Sequence, residues 1–212
     1  MAVTAVISDF GGVLTTPLIG SFEKFRDRSG VSLENLGLAL AALGAARGEN
    51  PLHELEIGRL SEADFLAALA GQLADQLGRR IDLDGFGASY FADLAPNDAF
   101  VAYMRTLRER GLRMAICTNN VREWSPLWRA MVPVEEIFGV IVDSSEVGAR
   151  KPDPPIYEAT LSELGVAASE AVFVDDLEVN CAAARELGLR AVWFQTTEQA
   201  IADVEAALAG HD

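Results

Sequence analysis

Five short apolar runs recur along this chain, at residues 3–8, 112–118, 140–143, 171–174 and 191–194, and each ends in polar residues. Runs of this length, apolar on both alternating faces, suit strands buried in a parallel sheet rather than strands with one wet face. The stretches between most of them carry helical periodicity. One helix is predicted between Asn97 and Arg110, stopped by Gly111. Another starts after Asp153, with Pro154 and Pro155 in its first turn, and ends near Gly165. Strand and helix in alternation predict an α/β fold: a Rossmann-like parallel sheet flanked by helices.

Residues 16–95 break the alternation. They hold no strand-like run but several helical segments, such as 61–77, where Ser61 and Asp64 form a short-armed capping box. Phe65, Leu66, Leu69, Leu73 and Leu77 supply an apolar stripe there. A helical block inserted after the first strand predicts an all-helical cap domain at 16–95, on a catalytic core formed by 1–15 and 96–212. The plainer alternative is that these helices simply cover the sheet.

Composition narrows the partners. The 212 residues are 50% hydrophobic, enough for a sizeable core, and the formal charge of −15 argues against nucleic acid or an anionic membrane surface. A small phosphorylated metabolite needs only a local cluster of cations and stays open. Cys117 lies in an apolar run and Cys181 on a predicted helix, so both read as buried reduced thiols. The N-terminal residues carry neither a basic region followed by a long apolar stretch nor a bilayer-spanning run, and a cytoplasmic location is expected.

Four segments carry the chemistry. The first strand runs into Asp9-Phe10-Gly11-Gly12, placing a carboxylate at the strand tip, where open α/β sheets bind ligands, beside glycines that admit close backbone approach. Taken alone, this is also an ordinary turn. Thr118-Asn119-Asn120 sets a hydroxyl at the end of the second strand. Lys151 stands in a Pro-rich loop before a helix, and it is one of only two lysines, with Lys24, against fifteen arginines. Asp175 and Asp176 end the fourth strand, followed by Asn180.

In this order the segments resemble the four motifs of the haloacid dehalogenase superfamily: nucleophilic Asp, Thr or Ser, Lys, and an acidic pair. The wording is similar to the helical-cap subgroup that includes sugar-1-phosphate phosphatases and the phosphatase domain of soluble epoxide hydrolase, and the resemblance spans essentially the whole chain. It implies a Mg²⁺-dependent hydrolase acting on a small phosphate monoester, such as a sugar phosphate, through an aspartyl-phosphate on Asp9. It also implies that Thr118 and Lys151 bind and neutralise the phosphoryl group, together with Gly11, Gly12 and Asn119. The metal would be held by Asp9, the Gly11 carbonyl and Asp176, with Asp175 as a further ligand or an outer acceptor. Asn180 would orient Lys151 or the acidic pair. Like charges about 4 Å apart repel by roughly 4 kcal/mol at an effective dielectric of 20, so such a cluster stays ionised only with cations.

One position departs from the pattern. Most family phosphatases carry a second Asp two residues after the nucleophile, as the leaving group's acid; here that residue is Gly11. Losing such a group costs about 10²- to 10⁴-fold. Two further classes therefore stay open: a dehalogenase-type hydrolase, and a weakly active protein that binds a phosphorylated ligand or a partner. In the inserted block, Arg47, His53 and Arg59 could reach a substrate, though each also reads as a solvated side chain. Trp124 and Trp128, four apart on a predicted helix, read as packing residues.

Overall fold

The computed structural model describes residues 2–210; the outermost residues of the predicted core, 1, 211 and 212, lie outside them. Five parallel strands, β1 (Ala5–Ser8), β2 (Arg113–Thr118), β3 (Val140–Asp143), β4 (Ala171–Asp175) and β5 (Arg190–Trp193), form one sheet in the order β3-β2-β1-β4-β5. β1 is central, and all four of its residues are buried.

Alternation along the strands splits the core into two layers. Val6, Ile116, Val172 and Val174 face one layer, with Phe10, Trp128 and residues of the helices Asp98–Glu109 and Thr197–Leu208. Ala5, Ile7, Ala115, Cys117 and Phe173 face the other, against helices Pro154–Leu164 and Glu178–Glu186. Both cysteines are free and buried, and burial pushes their thiols up, Cys117 to about 11 and Cys181 to about 12.

The predicted strands and helices lie within a residue or two of the observed ones. Asn97 caps its helix through the Phe100 N–H, and Ser61 caps Glu62–Leu77 through the Asp64 N–H. Two details differ. Asp153 precedes its helix in an extended conformation, but its side chain makes no capping bond; Pro154 at the first helical position has no N–H to satisfy. Trp124 and Trp128 do not share a helix. Trp124 ends a 3₁₀ turn, and only Trp128 lies in the short helix Ser125–Arg129, fully buried 4.9 Å from the Phe10 ring.

Between β1 and the helix Asp98–Glu109 come Ile19–Ser29, Leu33–Arg47, Pro51–Glu56, Glu62–Leu77 and Phe86–Ala92, with no strand among them. They have a core of their own, built on Phe25, Leu36, Leu55, Phe65, Leu69 and Leu73. The chain enters and leaves this block side by side. Thr15 bridges Pro96, the Thr16 N–H donates to the Ala95 carbonyl at 2.8 Å, and the Asn97 N–H donates to the Leu14 carbonyl at 2.9 Å. The block is tied down elsewhere: Tyr90 and Phe91 belong to the main core, and Arg150 pairs with Glu56 at 2.5 Å.

Candidate active site

The strand order places the site. From β1 the chain fills the sheet on one side with β2 and β3, then crosses to the other side for β4 and β5. Side chains at the tips of β1 and β4 therefore meet at the point where the winding reverses, which in open α/β sheets is where ligands bind. Ser8 pairs with Val174, so Asp9 and Asp175 leave adjacent strands at the same level; Thr118 ends β2, on the other flank of β1.

Asp9 is 8% exposed. Its Oδ1 accepts the Phe10 N–H at 2.7 Å and lies 2.8 Å from Lys151 Nζ, while no protein donor among the described residues is directed at Oδ2. Lys151 Nζ also donates to Asp175 Oδ2 at 2.6 Å, and the lysine is 1% exposed. The ammonium is a bridge between two buried carboxylates. Asn119 holds the lysine's backbone in both directions, accepting its N–H at 2.8 Å and donating to its carbonyl at 2.9 Å. The side-chain amide of Asn119, expected to meet substrate, is thus occupied in placing Lys151.

The acidic pair divides its work. Asp175 is fully buried and its oxygens are occupied: Oδ2 by Lys151, Oδ1 by the Leu177 N–H at 2.8 Å and Asn180 Nδ2 at 3.0 Å. Asn180 orients this carboxylate. Asp176 is partly buried and pairs with no lysine or arginine among the described residues. Its carboxylate rests on Gly12, where a Cβ would come within 2.2 Å of Oδ2; Gly12 also has φ of +75°, so glycine is required there twice over. Asp9, Asp175 and Asp176 each offer an oxygen within 4.8 Å of the others.

Burial and mutual repulsion leave Asp9 and Asp176 reluctant to ionise. Burial pushes Asp9 up to about 7, opposed by Lys151 and reinforced by Asp175 and Asp176. Asp176 rises to about 6, through burial first and then Asp175. For Lys151 burial disfavours the charge, but Asp175 and Asp9 outweigh it and raise the ammonium above its ordinary value.

Gly11 is closely flanked by Leu18. Its φ is not in the left-handed region, but a Cβ would lie 3.2 and 3.3 Å from the two methyl carbons of Leu18. Leu18 occupies the volume beside Gly11. Nothing in the sequence marked it, because its contact with Gly11 is made only on folding. Tyr90 is a second addition. Burial, then the charges of Asp176 and Asp9, raise its phenol above the ordinary value. The basic residues considered in that block are engaged or solvated: Arg47 pairs with Glu54 at 2.8 Å, Arg59 lies 3.9 Å from Glu49, and His53 is exposed.

The sequence profile of the haloacid dehalogenase-like hydrolases matches residues 3–188. The chain belongs to this family. A phosphatase of Mycobacterium tuberculosis is 30% identical to this hydrolase, over 90% of this chain and 87% of that protein. Bifunctional epoxide hydrolase 2 of Sus scrofa is 26% identical over 97% of this chain, which spans only 39% of that protein's length. The match to acyl-CoA dehydrogenase family member 10 of Mus musculus covers 9% of that protein. A haloacid dehalogenase family enzyme from Bacteroides thetaiotaomicron, in a magnesium complex, shares the fold with a TM-score of 0.68 at 20% identity, over 92% of this chain and 94% of that one. No single helix among the described residues of this hydrolase is long and apolar enough to cross a membrane.

Proposed function

We propose that this hydrolase is a Mg²⁺-dependent phosphatase that cleaves a small phosphate monoester through an aspartyl-phosphate on Asp9, with residues 16–95 acting as a cap over the site. The observation that carries this reading is the state of Asp9. One of its oxygens is held by Lys151 and the Phe10 N–H, while the other is free of protein donors. A carboxylate held in this way is aimed for in-line attack on phosphorus. The identity shared with a phosphatase over most of both chains supports it.

The donor set suits a hard cation. It consists of oxygens alone, and two of the carboxylates are held above their ordinary value, Asp9 at about 7 and Asp176 at about 6, so added positive charge favours their ionised forms. Asp9, Asp176 and the Gly11 carbonyl would hold the ion, with Asp175 behind them. Bound there, Mg²⁺ supplies charge that offsets the oxygens of the transferring phosphoryl group. Lys151 would neutralise the same group, and Thr118 would donate its hydroxyl to a phosphate oxygen. Asp9 attacks, the P–O bond to the alcohol breaks, and water then cleaves the acyl phosphate, returning Asp9 and releasing inorganic phosphate. Acid quenching during turnover of a ³²P-labelled monoester should trap a hydroxylamine-labile label on Asp9. Steady turnover with no such label would sink the covalent route, and no turnover of any monoester would favour a binding role.

The acidic pair should separate by experiment. Asp176→Ala is expected to abolish the response of activity to Mg²⁺ while keeping a cooperative melt. Asp175→Ala removes the acceptor of Lys151, Asn180 and the Leu177 N–H, and should lower stability by about 3 kcal/mol or more. Mg²⁺ titrations and thermal melts of both variants check this; equal melts would put the two residues in the same role.

Proton competition makes a further prediction. The folded metal-free protein holds Asp9 at about 7 and Asp176 at about 6, both above the ordinary carboxylate value of 3.8. A raised acid contributes stability that is complete below its unfolded value and is lost as pH rises through the folded one. The metal-free melting temperature should therefore fall between about pH 4 and 7.5, and the rise produced by Mg²⁺ should be larger at pH 8 than at pH 5. A Mg²⁺ effect independent of pH would separate the metal from these carboxylates.

A further inference from the structure

Leu18 stands against Gly11, two residues from the nucleophile, where a side chain on residue 11 would otherwise project. The packing around it is apolar. Phe22 is one turn further on, its ring 5.5 Å from Tyr90, and Tyr90 stacks on Trp124 at 5.7 Å and 25°. The other approach, past Asp176, is also apolar. Leu177 and Val179 are 54% and 58% exposed, and Trp193, whose indole N–H donates to the Asp176 carbonyl at 3.0 Å, is 42% exposed. Large apolar side chains left in water beside a reaction centre mark a surface that a ligand covers.

Polar recognition is sparse by comparison. The Asn119 amide is spent on Lys151, Asn180 on Asp175, and Arg28 and Lys24 on Asp93. An alcohol with several hydroxyls would lose its water on Leu18 and find few partners in exchange, which disfavours its binding.

We propose that this hydrolase selects phosphate esters of apolar alcohols, and that Leu18 is the specificity-determining residue that receives the first carbons of the leaving group. The inference rests on the phosphatase reading and narrows its substrate class away from sugar phosphates.

Ethyl, butyl and hexyl phosphate test it, because their leaving groups are equally basic and differ only in apolar length. With Mg²⁺ present, kcat/KM should rise by up to about fourfold per added methylene, and by at least about tenfold from ethyl to hexyl phosphate. Hexyl phosphate should also exceed glucose 6-phosphate, another ester of a primary alcohol. Leu18→Ser should cut the hexyl-to-ethyl ratio at least about fivefold, and Leu18→Ala should cut it less. Since the wild-type series stands on its own, a poorly folded variant does not remove the test. Turnover with a flat series, with glucose 6-phosphate preferred, or with a ratio unchanged in folded Leu18 variants overturns this inference and leaves the phosphatase reading standing. No turnover of any of these esters, nor of acetyl phosphate, overturns both.

Discussion

Asp9→Asn is expected to lower kcat by more than about 10⁴-fold while leaving the fold intact. The amide is nearly isosteric with the carboxylate, and it can still accept the Phe10 N–H through its oxygen, but it has no anionic oxygen with which to attack phosphorus. Lys151 keeps Asp175 as a partner, so no buried cation is stranded. Thermal melts should stay within a few degrees of wild type, which assigns the loss to chemistry. Activity above about one per cent of wild type in Asp9→Asn, after slow deamidation has been excluded by mass spectrometry, would falsify nucleophilic catalysis by this residue.

Lys151→Met should be the most destabilising single change at the site. It removes the ammonium that lies 2.6 Å from Asp175 and 2.8 Å from Asp9, in a place where the lysine is 1% exposed, and leaves two carboxylates facing each other away from water. Breaking a buried ion pair from one side costs about 3–5 kcal/mol. For a domain of this size that corresponds to a fall of about 6–20 °C in melting temperature. The deficit should shrink toward acid pH, because Asp9, already raised to about 7, can take up a proton and relieve the repulsion. Mg²⁺ should recover part of the stability but not the activity. Lys151→Arg should fail to rescue turnover, since a planar fork does not fit the space of a compact ammonium placed between two acids. Melts at pH 5 and pH 8 with parallel kinetics check all of this. A Lys151→Met protein as stable as wild type would mean that water reaches the pair and carries its charge.

The chemistry of this site was legible because its residues sit at strand ends. An apolar run ending in Asp9, another in Thr118 and a third in Asp175-Asp176 put polar groups at one edge of the sheet whatever the helices do. Division of labour within the site was not legible. Asp175 and Asp176 are neighbours of the same type. They differ only because one side chain turns inward to Lys151, Asn180 and the Leu177 N–H, while the other turns outward over Gly12. The resemblance gave Asn119 as a substrate ligand; its hydrogen bonds to the backbone of Lys151, 32 residues on, are visible only once the chain is folded.

By itself, then, the sequence determined the α/β architecture and which ionisable residues gather at the sheet's edge. Periodicity, strand-end polarity and glycine placement are local properties that the chain carries before it folds. Tertiary structure alone decided what surrounds the nucleophile. The volume beside Gly11 is filled by Leu18, seven residues on. Contacts between residues distant in sequence depend on how the helices pack on the sheet, and no local pattern records them.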